Sequence, residues 1–181
     1  MEPWIETFSG ATFRYNDLNQ NYFKLEDIAH SLSNICRFTG HCSNFYSVAE
    51  HSVYVAHLLP KEKQLCGLLH DASEAFVNDL ASPLKQLMPE YSKLEEQIME
   101  VIARKFSLPS RFWKDSDVKH ADWIQLKEEA VLLPSKGKHW YFPPNMTIGG
   151  LVKQGFSPVC LEPKKAKDLF LQTYDFIVRH R

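Results

Sequence analysis

Apolar residues recur at helical spacing over most of this 181-residue chain, from about Leu25 to Arg179. Such spacing places the apolar side chains of each segment on one face of a helix, where they can be buried together. The pattern predicts helices over residues 25–36, 47–59, 65–76, 91–106, 116–132 and 164–179. We therefore expect an all-α fold.

Two segments depart from the helical pattern. Residues 4–14 alternate apolar and polar side chains around Ser9-Gly10, which predicts a short β-hairpin or extended arm within residues 1–20. Residues 136–160 contain Gly149-Gly150 and several aromatic side chains, and we expect an irregular loop there. No repeat or Gly/Pro/Ser-rich linker divides the sequence, so a single domain over residues 1–181 is expected.

Composition narrows the classes of function. Lys and Arg number 21 against 22 Asp and Glu, a net charge of −1 that disfavours a nucleic-acid polymer as partner. The start at Met1 shows neither a basic region nor an apolar one, and no apolar run reaches the ~18 residues that span a bilayer. The four cysteines form no CxxC pair and are typical of a reducing compartment. We expect a cytoplasmic protein without a membrane partner.

Ionisable residues interrupt the most apolar of the predicted helices, LCGLLHDASEAF (65–76). His70 and Asp71 are adjacent there, and burying both is costly unless something compensates their polarity. Glu74 follows His70 by four residues, which is one helical turn. His51 lies in the preceding predicted helix, and the short connection at Pro60 favours antiparallel helices. His51 and His70 are therefore expected to face each other.

A metal ion would compensate such a cluster, since imidazole and carboxylate groups suit zinc, manganese, cobalt or iron. Asp122 or Asp117, on a later predicted helix, offers a fourth ligand. The structural alternatives are a buried histidine satisfied by a hydrogen bond and an aspartate that caps a helix.

Two basic residues are candidates for binding a phosphate group. Arg37 precedes a glycine-containing loop, where its guanidinium could bind a phosphate bidentately. Lys85 follows Pro83-Leu84 and the nearby Asp79. The alternative for both is a solvated surface charge or a simple ion pair.

The order His51, His70-Asp71, Asp122 resembles the H…HD…D signature of HD-domain metal-dependent phosphohydrolases. Arg37, SVAEHS (47–52) and LLHDASEAFVNDLASPLK (68–85) are similar to the branch that contains bacterial 5′-deoxynucleotidases. Small phage and bacterial HD phosphohydrolases, among them a phage dATP triphosphohydrolase, belong to the same branch. The resemblance runs from about residue 4 to residue 132.

The resemblance implies an HD-type helical bundle with one divalent metal ion, either cobalt, manganese, zinc or magnesium. It implies a set of four metal ligands: His51, His70, Asp71 and Asp122. It further implies that Glu74 is the general acid or base and that Asp79 orients the attacking water.

The same resemblance implies that Arg37 and Lys85 bind the substrate phosphate. A bulky aromatic residue after the arginine crowds the sugar 2′ position in the deoxynucleotidases, and Phe38 stands there in place of tryptophan. Trp140, in the predicted late loop, is a candidate to stack on the base, although an aromatic cluster is more often part of a core.

The implied activity is metal-dependent hydrolysis of a deoxynucleotide. The compact length and the segments SNICRFTGH (33–41) and FYSVAEHS (45–52) resemble the small phage-type enzymes more closely. This resemblance implies a dNTP triphosphohydrolase that releases deoxynucleoside and tripolyphosphate, with dATP as the first candidate substrate. The alternatives are a 5′-deoxynucleotidase that acts on dNMPs and a non-catalytic nucleotide-binding sensor. A closed homo-oligomer, a dimer or hexamer, is expected from the family.

Overall fold

The structure is a computed structural model that describes residues 2–144 and 146–181. Its regular elements are a two-stranded antiparallel sheet and eight α-helices, which confirms the expected all-α fold with an N-terminal hairpin. Met1, where the predicted arm begins, and Asn145, within the predicted loop, lie outside the described residues. The elements are β1 (Trp4–Glu6), β2 (Thr12–Arg14), α1 (Leu25–Asn34), α2 (Val48–Leu58), α3 (Gln64–Leu68), α4 (Glu74–Val77), α5 (Ser82–Lys85), α6 (Pro89–Lys105), α7 (Ser116–Glu129) and α8 (Pro163–Arg179).

The N-terminal hairpin packs onto the helices through its one buried side chain. Trp4 pairs with Arg14, and Gly10 in the turn has a positive φ of 76° that glycine tolerates without strain. Phe13 on β2 is buried and stacks on Phe76, with ring centroids 4.3 Å apart. Asp27 on α1 accepts a hydrogen bond of 2.7 Å from the Ser9 backbone N–H, so the turn is held against α1.

Helix α2 lies in the core, and the structure confirms that it begins after Ser47. The Ser47 hydroxyl accepts a hydrogen bond of 3.1 Å from the Glu50 N–H, as expected of an N-cap. The buried Glu50 carboxylate accepts hydrogen bonds from backbone N–H groups ahead of α8. These belong to Val159, Cys160 and Leu161.

The predicted single helix over residues 65–76 is wrong. Helix α3 ends at Leu68, a turn follows over residues 69–73, and α4 begins at Glu74. The His70 Nδ1 atom lies 2.7 Å from the Gly67 carbonyl oxygen, which it occupies with a side-chain hydrogen bond. His70 and Asp71 therefore lie in a turn between two short helices rather than within one helix.

The predicted helix over residues 25–36 ends two residues early, at Asn34. Cys36 forms a β-bridge with Ser47, so the chain becomes extended after α1. A 3₁₀ turn over Ala130–Leu132 follows α7, and residues 136–144 and 146–160 form neither a helix nor a strand. No helix of the described residues is long and apolar enough to cross a membrane.

Candidate metal centre

Two buried imidazoles face each other between α2 and the turn after α3. The Nε2 atom of His51 lies 3.3 Å from the Nε2 atom of His70. The expectation that these histidines face each other is therefore met, although His70 reaches the position from a turn. Both side chains are almost fully buried.

Hydrogen bonds at the second ring nitrogens set the orientation of both histidines. The His70 Nδ1 atom lies 2.7 Å from the Gly67 carbonyl oxygen, which can only accept, so Nδ1 carries the proton. The His51 Nδ1 atom lies 2.7 Å from the Glu129 carboxylate and is protonated for the same reason. When both rings are neutral, their Nε2 lone pairs face each other across 3.3 Å, as those of metal-ligating histidines do.

Two carboxylates border the same point. Asp71 Oδ2 lies 3.2 Å from His70 Nε2 and 3.8 Å from His51 Nε2. Asp122 Oδ1, on α7, lies 3.2 Å from His51 Nε2 and 3.9 Å from His70 Nε2. About a quarter of each carboxylate side chain is exposed, 23 % and 25 %, so solvent reaches the cluster from their side.

The distances and charges fit a bound divalent cation. The ligand atoms of His51, His70 and Asp71 all lie within 4.8 Å of one another. Two nitrogens held 2.0–2.1 Å from one ion at cis or tetrahedral angles are about 2.8–3.4 Å apart, and the observed Nε2 separation of 3.3 Å falls in that range. His51, His70 and Asp71 thus form a group able to hold a metal ion, and Asp122 adjoins it.

The charges around the two histidines also favour a bound cation. Burial and the Arg37 charge lower the pKa of His51, but the Glu129 and Asp122 carboxylates outweigh both and raise it to about 9. Burial raises the pKa of Asp122, yet its hydrogen bond with His51 and the His70 charge bring it down to about 2. The metal-free cluster therefore holds a proton at neutral pH.

Glu129, which the sequence reasoning missed, accepts the hydrogen bond from His51 Nδ1 that orients this imidazole. The Oε1 atom of this fully buried carboxylate also accepts a hydrogen bond of 2.7 Å from the Tyr46 hydroxyl. Burial opposes ionisation, but Arg37 and His51 together lower the pKa of Glu129. Its position seven residues after Asp122, two turns along the same helical face, was the one signal in the sequence.

Arg37 links Glu129 to the exposed side of the cluster. Its Nε atom lies 3.0 Å from Glu129 Oε2, and its Nη1 atom lies 3.8 Å from Asp71 Oδ2. The Phe38 ring lies 5.5 Å from the Arg37 guanidinium carbon, and its centroid is 5.8 Å from that of Trp140. The predicted Arg37, Phe38 and Trp140 are thus linked by successive contacts that begin at Asp71.

A cluster of three charged residues, Glu74, Lys85 and Glu95, lies near Asp71. The Lys85 ammonium lies 3.6 Å from Glu74 Oε1 and 2.7 Å from Glu95 Oε1. Glu74 is buried, and within the described chain its Oε2 atom has no hydrogen-bond partner. Burial, with the nearby Asp71 and Asp79 charges, raises the pKa of Glu74 well above its ordinary value.

Asp79 also lies close to this group. Burial raises the pKa of Asp79, while the Arg37 charge opposes the shift and the Asp71 charge adds to it. The side chain is half-buried. Asp79 is therefore close enough to Arg37, Asp71 and Lys85 for their charges to change its pKa.

Asp117, the other candidate for a fourth ligand, has different partners. It lies 3.0 Å from the Lys63 ammonium and accepts a hydrogen bond of 3.1 Å from the Gly149 N–H. These contacts hold the late loop against α7. Of the two candidates, Asp122 is the one that borders the histidines.

No protein-family model matches the chain. It is 40% identical over 173 residues to the uncharacterized protein YfdR of Escherichia coli (strain K12), which covers 95% of this chain and 94% of that protein. It is 31% identical over 117 residues to the uncharacterized protein RCAP_rcc00048 of Rhodobacter capsulatus, or 59% of this chain and 60% of that protein. With this identity over nearly its whole length, the chain belongs to the family of YfdR.

Proposed function

We propose that this chain is an HD-type, metal-dependent phosphohydrolase that acts on deoxynucleotides. The observation that carries the proposal is the convergence of two imidazole Nε2 atoms, 3.3 Å apart, with the Asp71 and Asp122 carboxylates at one solvent-accessible point. Two imidazole Nε2 atoms beside two carboxylates make up a donor set that suits a divalent transition metal. The resemblance of these residues to the HD signature agrees with this interpretation.

His51, His70, Asp71 and Asp122 would hold a divalent ion, which is cobalt, manganese, zinc or magnesium. A divalent ion bound there supplies a Lewis acid that polarises a phosphoryl oxygen and lowers the pKa of water. Two neutral imidazoles and two carboxylates would balance the charge of a divalent ion, so the attraction of an anionic substrate would fall to Arg37 and Lys85.

Arg37 and Lys85 would offset the negative charge of the phosphoryl group. Both are already oriented by carboxylates, Arg37 by Glu129 and Lys85 by Glu95, so little side-chain entropy is lost when a phosphate binds. Positive charge held in place before the reaction stabilises charge that develops in the transition state.

Glu74 would transfer the proton in the reaction. Burial and the nearby Asp71 charge raise the pKa of Glu74, which favours the protonated acid that can donate to the departing oxygen. The Lys85 ammonium at 3.6 Å then stabilises the carboxylate that remains. Asp79 would orient the attacking water.

The aromatic pair of Phe38 and Trp140 supports a nucleoside as the organic part of the substrate. Phe38 would crowd a ribose 2′-hydroxyl, and Trp140, 37% exposed, would offer a face to the base. We place a dNTP first, with deoxynucleoside and tripolyphosphate as products, and a dNMP second. A closed homo-oligomer in the cytoplasm, or the host cytoplasm if the chain is phage-encoded, completes the proposal.

The test is hydrolysis of dNMPs, dNDPs, dNTPs and their ribose counterparts by chelated protein to which one metal at a time is returned. Phosphate, pyrophosphate and tripolyphosphate are separated as products. Asp71→Ala is compared with Asp168→Ala, a matched change at an exposed position on α8. We expect Asp71→Ala to lose at least about 100-fold in rate and Asp168→Ala to keep its rate.

Tripolyphosphate from a dNTP would support the triphosphohydrolase, and phosphate from a dNMP would make the chain a 5′-deoxynucleotidase. Tight nucleotide binding without turnover in any metal would overturn the enzyme and leave a sensor. Full activity in Asp71→Ala would overturn the proposed metal ligands.

A further inference from the structure

Two cysteine sulfurs lie in contact beside the candidate site. The Cys36 Sγ atom is 3.4 Å from the Cys42 Sγ atom, and both thiols are free and half-buried. The 36–42 loop, which the two cysteines bracket, contains Arg37 and Phe38. A covalent bond between these sulfurs would therefore close a short ring around two proposed substrate-binding residues.

The backbone of the 36–42 loop brings the sulfurs together. Phe38, Thr39 and Gly40 all have positive φ angles, of 57°, 54° and 78°. Two of these three residues are not glycine, so the tight turn is strained and depends on the surrounding structure.

Both ends of the loop are held from outside it. On one side Cys36 forms a β-bridge with Ser47, and the Arg37 N–H donates to the Tyr46 carbonyl at 2.9 Å. On the other side the Ser43 N–H donates to the Leu132 carbonyl at 2.8 Å. The proximity of the two thiols is thus a property of the fold.

We propose that Cys36 and Cys42 are a reversible disulfide site, oxidised by a small-molecule disulfide such as oxidised glutathione. A disulfide requires the sulfurs to approach to about 2.05 Å, a movement of about 1.4 Å from their present separation. The turn residues 38–41 can absorb such a movement, because neither anchor lies among them.

The reaction proceeds by two successive exchanges. The Cys36 thiolate attacks one sulfur of oxidised glutathione, which forms a mixed disulfide and releases one glutathione thiolate. The Cys42 thiol then loses its proton to solvent and attacks the Cys36 sulfur, which releases the second glutathione. The two cysteines lose two electrons and two protons, and one molecule of oxidised glutathione becomes two of reduced glutathione.

The order of attack follows from the surroundings of Cys42. Burial, together with the Cys36 sulfur, raises the pKa of Cys42 to about 11, so it is a thiol at neutral pH. Closure is therefore slow near pH 7 and faster at pH 9, since the second exchange needs the Cys42 thiolate.

Disulfide formation would reach Arg37 through its carbonyl group. This oxygen accepts a hydrogen bond from the Gly40 N–H at 3.2 Å and contacts the Cys42 thiol at 3.7 Å. Oxidation removes the thiol proton and pulls Cys42 toward Cys36. We expect Phe38 to shift and nucleotide hydrolysis to fall several-fold, a consequence that rests on the proposed function, whereas the disulfide itself does not.

The test treats the whole protein with oxidised glutathione, traps free thiols with a maleimide after unfolding, and counts them by mass. The wild type should lose two of its four thiols. Proteolytic peptides should show Cys36 joined to Cys42, and dithiothreitol should restore both. Cys42→Ser should stop at a glutathione adduct on Cys36, and Cys160→Ser should form the disulfide as the wild type does.

Retention of all four thiols, or separate adducts without a cross-link, would overturn the proposal. A disulfide that leaves hydrolysis unchanged would keep the site and overturn its effect on Arg37. If the reduced wild type hydrolyses no nucleotide, the proposed function fails, and the thiol count still decides the disulfide.

Discussion

At the scale of single residues, the two histidines of the candidate metal centre are oriented by different kinds of partner. A backbone carbonyl, that of Gly67, orients His70, and a side-chain carboxylate, that of Glu129, orients His51. Substitution of Glu129 therefore releases one imidazole and leaves the other in place. This difference separates the effect of orientation from the effect of losing a ligand.

Glu129→Gln should weaken divalent metal binding by about 10–100-fold, because the amide holds the His51 tautomer less firmly than a carboxylate does. It should also cost about 3 kcal/mol of stability, since Arg37 loses the partner of its buried charge. Titration calorimetry and urea unfolding measure the two effects. Tyr46→Phe is the control, because it removes one hydrogen bond to the same carboxylate at a cost of about 1 kcal/mol. Unchanged metal affinity in Glu129→Gln would contradict the orienting role.

Metal affinity should rise with pH. His51 has a pKa of about 9 in the metal-free cluster, above its ordinary 6.5, so the ion must displace a proton at neutral pH. The apparent affinity should therefore fall about tenfold for each pH unit below 9. Mn²⁺ titrations at several pH values measure the slope, and proton release is checked in buffers of different ionisation enthalpy. A flat profile between pH 7 and 8.5 would show that no such proton is held.

At the scale of elements, helical periodicity predicted most helices but not where two of them end. Leu65, Leu68 and Leu69 continue the apolar pattern through the point where α3 stops. The helix stops because the His70 ring binds the Gly67 carbonyl, and periodicity does not report a side-chain hydrogen bond. The early end of α1 has a similar cause, the bridge from Cys36 to Ser47, which depends on a contact made only in the folded chain.

The connection between α2 and the segment ahead of α8 should depend on Glu50. Glu50→Ala leaves three backbone N–H groups without their acceptor and should cost at least about 3 kcal/mol in urea unfolding. Ser47→Ala, which removes only the N-cap of the same helix, should cost about 1 kcal/mol. Equal losses in the two variants would mean that Glu50 does not hold this segment.

At the scale of the whole molecule, close packing of α2 against α3 sets the separation of the histidines. A Cβ atom at Gly67 would lie 2.5 Å from Leu59 Cδ1 and 3.0 Å from the Ala56 Cα atom. The second neighbour is backbone and cannot move alone. The two helices that carry His51 and precede His70 can therefore approach this closely only with glycine at residue 67.

Gly67→Ala should push the helices apart, cost about 1–3 kcal/mol, and weaken metal binding in the same variant. Thermal unfolding and metal titration measure the two losses. Ser52→Ala is the control within α2, because its buried hydroxyl has no hydrogen-bond partner in the described residues and its removal should be neutral. A destabilised Gly67→Ala variant with normal metal affinity would contradict the link between packing and site.

The sequence could predict the site residues that belong to short motifs. His51, His70, Asp71 and Asp122 converge as expected, whereas the contacts of Glu129 with His51 and Tyr46 span 78 and 83 residues. Such contacts follow from how α2 and α7 pack, which no local pattern encodes. The choice between Asp117 and Asp122 likewise needed the Lys63 ion pair to be seen.

The most direct measurement is anomalous diffraction from crystals grown with Mn²⁺. We predict one strong peak per chain between His51 Nε2 and His70 Nε2, within about 2.3 Å of both, and its loss in His70→Ala. A map without a peak at this position, from crystals equilibrated with excess Mn²⁺, would contradict the metal centre on which the proposed function rests.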